Sequence, residues 1–402
     1  MKYINSLAVI SAAVLLTACG GESSSNSDNT GSSSACISSE KNVNWEKVLQ
    51  ADAATLAEYQ LFDNPCDPTQ NASTRGLPYS LSAPLFTDYA SKYRFVFIPE
   101  GQTATYSEKE VFEFPVGTVI TKTFTMPADT SDRGVEKERI IETRLLIKKA
   151  GGWVARPYVW NAAETEAVWD KTGEVVAINN LKHGEDTLSF NYGVPNQNSC
   201  TNCHQFNPNG DHDAVNGIDP TPAYFAPIGP KARYLNSDYD FGQGPENQLN
   251  KWVADNMLSG LPAENSSIQK AADFSDYKSL SEYSGTPEQL TATAKSWMDI
   301  NCGHCHRTEG QASNTAFRAD YNIPWDGNEG HHGACAVPVS GASAGSTWII
   351  VPGDSSQSLL YNRMNTTKAG LIMPPLGRAV IHTEGTALIK AWIDSLDPAL
   401  CN

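Results

Sequence analysis

The sequence predicts a multidomain β + α chain: an N-terminal antiparallel β domain, sandwich- or barrel-like, followed by two small, mainly α-helical domains. Three observations carry this. Runs of β-branched and aromatic residues at short spacing fill the chain up to Pro195. The character then changes to loop-rich sequence, opened by a Cys-x-x-Cys-His pattern. From Thr286 onward, helical apolar periodicity surrounds a second such pattern. At 402 residues, 40% of them hydrophobic, the chain has room for two or three domains. Its formal net charge of −16 argues against a nucleic-acid partner and against loose docking on an acidic membrane.

The elements follow in chain order. Lys2, then Leu7–Ile10 and Ala12–Leu16, make a basic start and an apolar stretch too short to span a bilayer. This predicts a secretory signal peptide over residues 1–18. Residues 19–35 are almost wholly Gly, Ser, Asn, Asp, Glu and Thr, the composition of a flexible tether. The β-rich domain is expected over 36–195. It opens with a helix from Trp45 to Tyr59 carrying Val48, Leu49, Leu56 and Ala57. Strands follow at Tyr93–Ile98, Val119–Phe124 and Ile140–Ile147. Gly151-Gly152 predicts a hairpin into Trp153–Trp160. Lys171-Thr172-Gly173 predicts another, between Val168-Trp169 and Glu174–Ile178. The first small domain is expected over 196–284, with an amphipathic helix from Asn247 to Leu258. The second covers 285–402. There Pro287 starts a helix with Leu290, Ala294, Trp297, Met298 and Ile300 on one face, which runs into Cys302. A closing amphipathic helix spans Thr383 to Leu396.

Nine cysteines punctuate the chain. Four fall in two matching frames, Cys200-Thr-Asn-Cys203-His204 and Cys302-Gly-His-Cys305-His306. This is the attachment pattern of c-type haem. Two thioethers grip the vinyl edges of one macrocycle, and the adjacent histidine then sits beneath the iron. The expected cofactors are therefore two covalent haem c groups. Cys200 and Cys203 would hold the first, with His204 proximal. Cys302 and Cys305 would hold the second, with His306 proximal. A thioredoxin-like dithiol would need a βαβ context, and a zinc site built from the four thiolates would leave both histidines unexplained. Cys36, Cys66, Cys335 and Cys401 remain, and an oxidising compartment favours disulfides. Of the three connectivities, Cys36–Cys66 and Cys335–Cys401 are favoured because each pair lies within one presumed domain.

The distal ligand of the first haem is open. Met257 lies about 53 residues after His204 but also sits on an apolar helix face, where a core role competes. His183, His212 and a vacant position are the alternatives. His304 should point away from its own haem, and His331-His332 reads as an exposed loop pair. Lys231 and Arg233 could meet haem propionates or form an ordinary surface pair. Gly341-Ala-Ser343-Ala-Gly345 lacks the strand-before, helix-after context of a nucleophile elbow. Asn207-x-Asn209-x-Asp211-x-Asp213 lacks the glycine and closing glutamate of a calcium loop.

Two local resemblances add to this. Leu16-Thr17-Ala18-Cys19-Gly20 resembles the lipobox of bacterial lipoproteins, which implies lipidation of Cys19. Gly20 in place of Asp points to the outer membrane. The order of helix, Cys302–His306, a loop carrying Met373-Pro374-Pro375-Leu376-Gly377 and a closing helix resembles a class I cytochrome c domain. That resemblance implies Met373 as the distal ligand of the second haem, about 67 residues after His306. A core methionine before a Pro-Pro turn is the competing reading.

The mature chain as a whole resembles a family of bacterial di-haem c-type cytochrome lipoproteins. The likeness rests on Ala83–Tyr89, Phe114–Thr118, Glu142–Leu146, Pro157–Asn161, Ile228–Arg233, Asp299–His306, Val351–Gly353 and Met373–Arg378. It implies that both small domains are cytochrome c-like haem domains. It also implies one-electron transfer in the cell envelope, with a periplasmic dehydrogenase or another cytochrome as redox partner. The expected role is an electron carrier rather than a catalyst. The alternatives are a di-haem peroxidase-like enzyme with an open distal position on the first haem, and a ligand-binding or redox-sensing envelope protein.

Overall fold

A computed structural model describes residues 36, 42–50, 52–208, 222–274, 283, 285–339 and 345–401. The expected signal peptide, the tether with Cys19, His212, Ser343 and most of the Asn207–Asp213 turn lie outside the described residues.

The first helix, α1 (Trp45–Gln50), is shorter than the sequence suggests. Beyond it Asp52 turns away to bind the Arg156 guanidinium at 2.7 and 2.9 Å. A separate 3-10 turn, Leu56–Tyr59, then begins where the Glu58 carboxylate accepts from the Thr55 amide. Next come β1 (Gly76–Pro78), β2 (Ser91–Phe97), β3 (Ala104–Thr105), β4 (Val119–Pro127), β5 (Glu138–Lys149), β6 (Gly152–Trp160) and β7 (Ala167–Trp169). Six of these form one antiparallel sheet in the order β1-β2-β4-β5-β6-β7. Alternation sorts the side chains between its faces. Phe95, Phe97, Val119, Leu145, Ile147 and Tyr158 meet Val48, Leu56 and Tyr59 on one side. Val96, Ile98, Ile120 and Leu146 point to the other.

The hairpin at Gly151-Gly152 joins β5 to β6. The one expected at Lys171–Gly173 does not form. Val168 and Trp169 pair with Val159 and Tyr158 of β6 instead. The chain after Gly173 enters β8 (Glu174–His183), which folds back on β9 (Asp186–Val194) as a separate ribbon. Gly184, at φ +58°, makes that tight reversal, a conformation glycine adopts without Cβ strain.

The expected pair of small helical domains is not what the chain forms. Among the described residues the fold is mostly β, with seven α-helices of 4 to 15 residues. After α2 (Thr201–His204) come the paired strands β10 (Gln205–Phe206) and β11 (Tyr224–Phe225), then α3 (Ala232–Leu235). The strands β12 (Asp238–Asp240) and β13 (Pro245–Asn247) lead into α4 (Gln248–Ala254) and β14 (Leu258–Ser259). Helices this short cannot enclose a core of their own. Leu235, Leu249 and Trp252 bury themselves against Val96, Ile98 and Ile120 of the sheet. β14 also adds to β3 in parallel.

The C-terminal helices are α5 (Pro287–Asn301), α6 (Leu359–Met364) and α7 (Thr383–Ser395). Thr286 caps α5, with the Gln289 side chain accepting from the Thr286 amide. Leu290, Ala294, Trp297, Leu388, Trp392 and Ile393 make the core of this part. Disulfides link Cys36 to Cys66 and Cys335 to Cys401.

Candidate functional site

β9 ends at Val194, and a 3-10 turn, Asn198–Cys200, runs directly into α2. Cys200 and His204 are thus one helical turn apart. The His204 Nδ1–H donates to the Ala226 carbonyl at 2.8 Å, an acceptor set in place by the pairing of β10 with β11. That bond leaves Nε2 as the free lone pair. A carbonyl partner on the other nitrogen is the usual arrangement for an iron-binding imidazole. The ring stacks on Phe225, with centroids 4.7 Å apart. Burial pushes His204 down to about 4, so the imidazole is neutral and fit to ligate.

The second motif hangs from the end of α5. The Cys302 amide donates to the Met298 carbonyl at 2.7 Å, and the His306 amide to Cys302 at 2.9 Å. Thr315 Oγ1 donates to the Ala312 carbonyl, so it accepts from His306 Nδ1 at 3.1 Å. Again Nε2 is left free. Burial pushes this histidine down to about 4 as well.

The two motifs are far apart in sequence and adjacent in space. Cys305 Sγ lies 3.4 Å from the Asn202 carbonyl, and the Asn207 amide donates to Glu309 at 2.8 Å. Gln311 bridges back to the Thr201 carbonyl and the Gln205 side chain. The Cys203 thiol lies within hydrogen-bond reach of Cys305 and His304. The contact with Cys305 pulls Cys203 down and pushes Cys305 up.

A cavity of about 490 Å³ opens between this junction and the sheet. Such a volume falls in the ~300–1,000 Å³ range of cofactor pockets. Cys200, Cys203, His204, His304, Met373 and His382 line it together with Arg94, Ile120, Lys122 and Arg144. A second cavity of about 460 Å³ shares Cys203 and His304 and is walled by Trp153, Phe206 and Tyr224. Cys302, Cys305 and His306 line neither. The buried Nδ1 atoms of His304 and His382 have no hydrogen-bond partner among the described residues. A cavity holding two thiols, an imidazole with free Nε2, a methionine and orphaned imidazole nitrogens is chemically suited to a thioether-linked haem. Among the described residues no group of three or more His, Cys, Asp or Glu is gathered to hold a bare metal ion.

Met373 reaches the cavity on a loop fastened at several points. The buried Asp88 carboxylate accepts from the Ala379 and Val380 amides at 2.6 and 3.0 Å. The Tyr89 hydroxyl accepts from the Thr383 amide at 3.0 Å. The Met373 amide donates to Arg363. His382 stacks on Phe86, with centroids 4.1 Å apart.

Other expected residues lie elsewhere. Met257 is 2% exposed and packed with Trp252, Ile98 and Ile120, lining neither cavity; its place on the apolar face is a core place. His183 meets Thr130 and the Glu384 carboxylate at 2.9 and 3.4 Å. His332 is not an exposed loop residue. It is 2% exposed and bonds the carbonyls of Arg318, Ile323 and Pro324, while His331 faces Asp320. Arg233 is neither a surface cation nor free for a propionate, since Asp299 binds it at 2.6 and 2.9 Å. Lys231 lies 3.9 Å from Glu110. Sequence reasoning passed over His382 and the cationic sheet face. The only available signal was the alternation of charge with apolar residues along β2, β4 and β5.

No family model, no curated protein and no solved structure matches the chain.

Proposed function

We propose that the chain is a c-type cytochrome carrying two covalent haems, which relays single electrons in the bacterial cell envelope. The observation that carries this is the packing of one Cys-x-x-Cys-His motif against the other, each histidine holding Nδ1 in a hydrogen bond and leaving Nε2 free. Bound haem iron supplies a one-electron couple. The chain's own residues do the rest. Cys200 with Cys203, and Cys302 with Cys305, would each hold one haem through two thioether links. Ala226 and Thr315 hold the rings of His204 and His306 in one orientation and one tautomer. Met373, expected beside His306, instead lines the cavity with His204 and would offer its thioether there. The contact between the motifs would bring groups held there near one another. An acidic surface, lipid on Cys19 and a tether over residues 19–35 belong to the same reading: an envelope-anchored carrier that meets a dehydrogenase or another cytochrome.

Intact mass of the denatured mature protein tests it. Two haem additions are expected, together with an N-terminal lipid. Changing both cysteines of either motif to alanine should remove one haem. A wild-type mass with no haem would end the proposal.

A further inference from the structure

Three cations lie in a line across the sheet beneath the cavity. Arg94 of β2 is the Cα partner of Lys122 in β4, and Lys122 is the partner of Arg144 in β5. Cross-strand partners point to the same face, with Cβ atoms about 4.5–5.5 Å apart. All three side chains line the 490 Å³ cavity. Like charges placed directly opposite destabilise a sheet, and buried ones do so more. One acid answers the row. Glu142, 0% exposed, grips Arg144 through both oxygens at 2.5 and 2.7 Å, and its Oε1 also accepts from Tyr192. No carboxylate pairs with Arg94 or Lys122 among the described residues. Arg94 is 7% exposed and, among the described residues, donates to the Lys92 carbonyl alone. Burial, with Arg144 and Arg94 alongside, pushes the Lys122 ammonium down to about 7. A chain with 45 acidic residues against 29 basic ones thus gathers three cations along one cavity, with a carboxylate partner only at Arg144 among the described residues. Arg144 has its acid and Lys122 sheds its proton near neutrality, so Arg94 and the protonated form of Lys122 are the charges a group in the cavity would answer.

We infer that the Arg94–Lys122–Arg144 row is a binding site for a carboxylate group within the cavity. The planar guanidinium forks of Arg94 and Arg144 suit a two-oxygen acceptor, and Lys122 adds a point charge between them. Such a group has two sources: a propionate of a haem held at Cys200 and Cys203 in the same cavity, or a free carboxylate that diffuses in. The first source rests on the proposed function; the second does not.

The test uses the full mature chain as purified, comparing wild type with Lys122→Met, Lys122→Arg, Arg94→Gln and Lys122→Gln. Equilibrium potentiometry reads the first source. Removing a cation beside a propionate lowers the potential of the haem that bears it, so one potential should shift down in Lys122→Met and Arg94→Gln, and return in Lys122→Arg. Calorimetry with succinate reads the second. Stoichiometric binding should weaken roughly tenfold or more when one charge-assisted contact is lost. A potential shift without succinate binding assigns the site to propionate, and succinate binding without a shift assigns it to a free acid. If neither occurs, the inference is overturned, and a Lys122→Met that melts higher than wild type would mark the row as tolerated repulsion. If mass shows no haem, the proposed function fails alone, and the succinate titration still decides the site. Arg94→Gln and Lys122→Gln serve if Lys122→Met does not fold.

Discussion

Met373 is held from behind by the Arg363 carbonyl and faces a cavity it shares with His204. A thioether favours ferrous over ferric iron relative to imidazole, because sulfur donates weakly to the harder ion. On the proposed function, Met373→His should therefore lower the potential of one haem while keeping it low-spin, and Met373→Ala should let that haem bind cyanide readily. A core methionine would instead cost roughly 2–5 kcal/mol on truncation, with potentials unmoved. Potentiometry and ferric spectra distinguish the two. His382 carries a pH prediction. Burial pushes it from an ordinary 6.5 down to about 3, with Lys92 and His183 adding to the effect. Below 6.5 the unfolded chain binds a proton that the folded chain refuses. The stability this represents is complete above 6.5 and is lost as pH falls toward 3. Between pH 7 and 5 the loss is about 2 kcal/mol. His382→Phe keeps the stack on Phe86 and should flatten the slope by that amount in denaturant melts. Equal slopes for both proteins would show that His382 titrates normally.

At the scale of elements, α5 and α7 are the clearest in the sequence. Their apolar stripes, Leu290–Ile300 and Leu388–Ile393, repeat at helical spacing over about three turns and nearly two. Where they cross, Gly385 admits a close approach. A Cβ there would lie 2.5 Å from His382 Nδ1 and 2.6 Å from Trp297 Cζ2. Both rings belong to the cavity wall and neither can swing freely. Gly385→Ala should cost about 1–3 kcal/mol by overpacking, despite its better helix propensity. Thermal melts read this directly, and a variant as stable as wild type would show that the helices can part. The short pieces α1, α3 and α4 were harder to read. An apolar pattern over one or two turns does not say where a helix stops, and Asp52 leaves α1's course only because Arg156 lies beside it in space.

At the scale of the molecule, the parts are tied by a buried ion pair. Arg233, 2% exposed in α3, meets Asp299, 7% exposed in α5, and the Tyr234 hydroxyl donates to the same carboxylate at 2.5 Å. Arg233 also donates to the Lys109 carbonyl at 2.6 Å, so one side chain joins three distant segments. Asp299→Asn leaves a buried guanidinium without its counter-charge and should cost about 3–5 kcal/mol. Replacing both, Asp299→Asn with Arg233→Met, should cost less than the sum of the single changes, since no charge is then stranded. Additive losses in denaturant melts would mean the two groups act independently.

The sequence alone determined what depends on contiguous residues. Both Cys-x-x-Cys-His frames are legible because each lies within five contiguous residues, and the haem attachment proposed for them rests on that spacing. The strands β2, β4, β5 and β6 are legible because alternation is local. Tertiary structure decided what depends on register and burial. The line of Arg94, Lys122 and Arg144 exists only because three strands pair in one alignment. Met257 was offered a ligand's role by its spacing and given a core place by the sheet it packs on. The segment expected to stand as a small helical domain lacks helices long enough to enclose a core. It therefore took its apolar partners from the sheet, because buried area, not sequence neighbourhood, sets where a short element comes to rest.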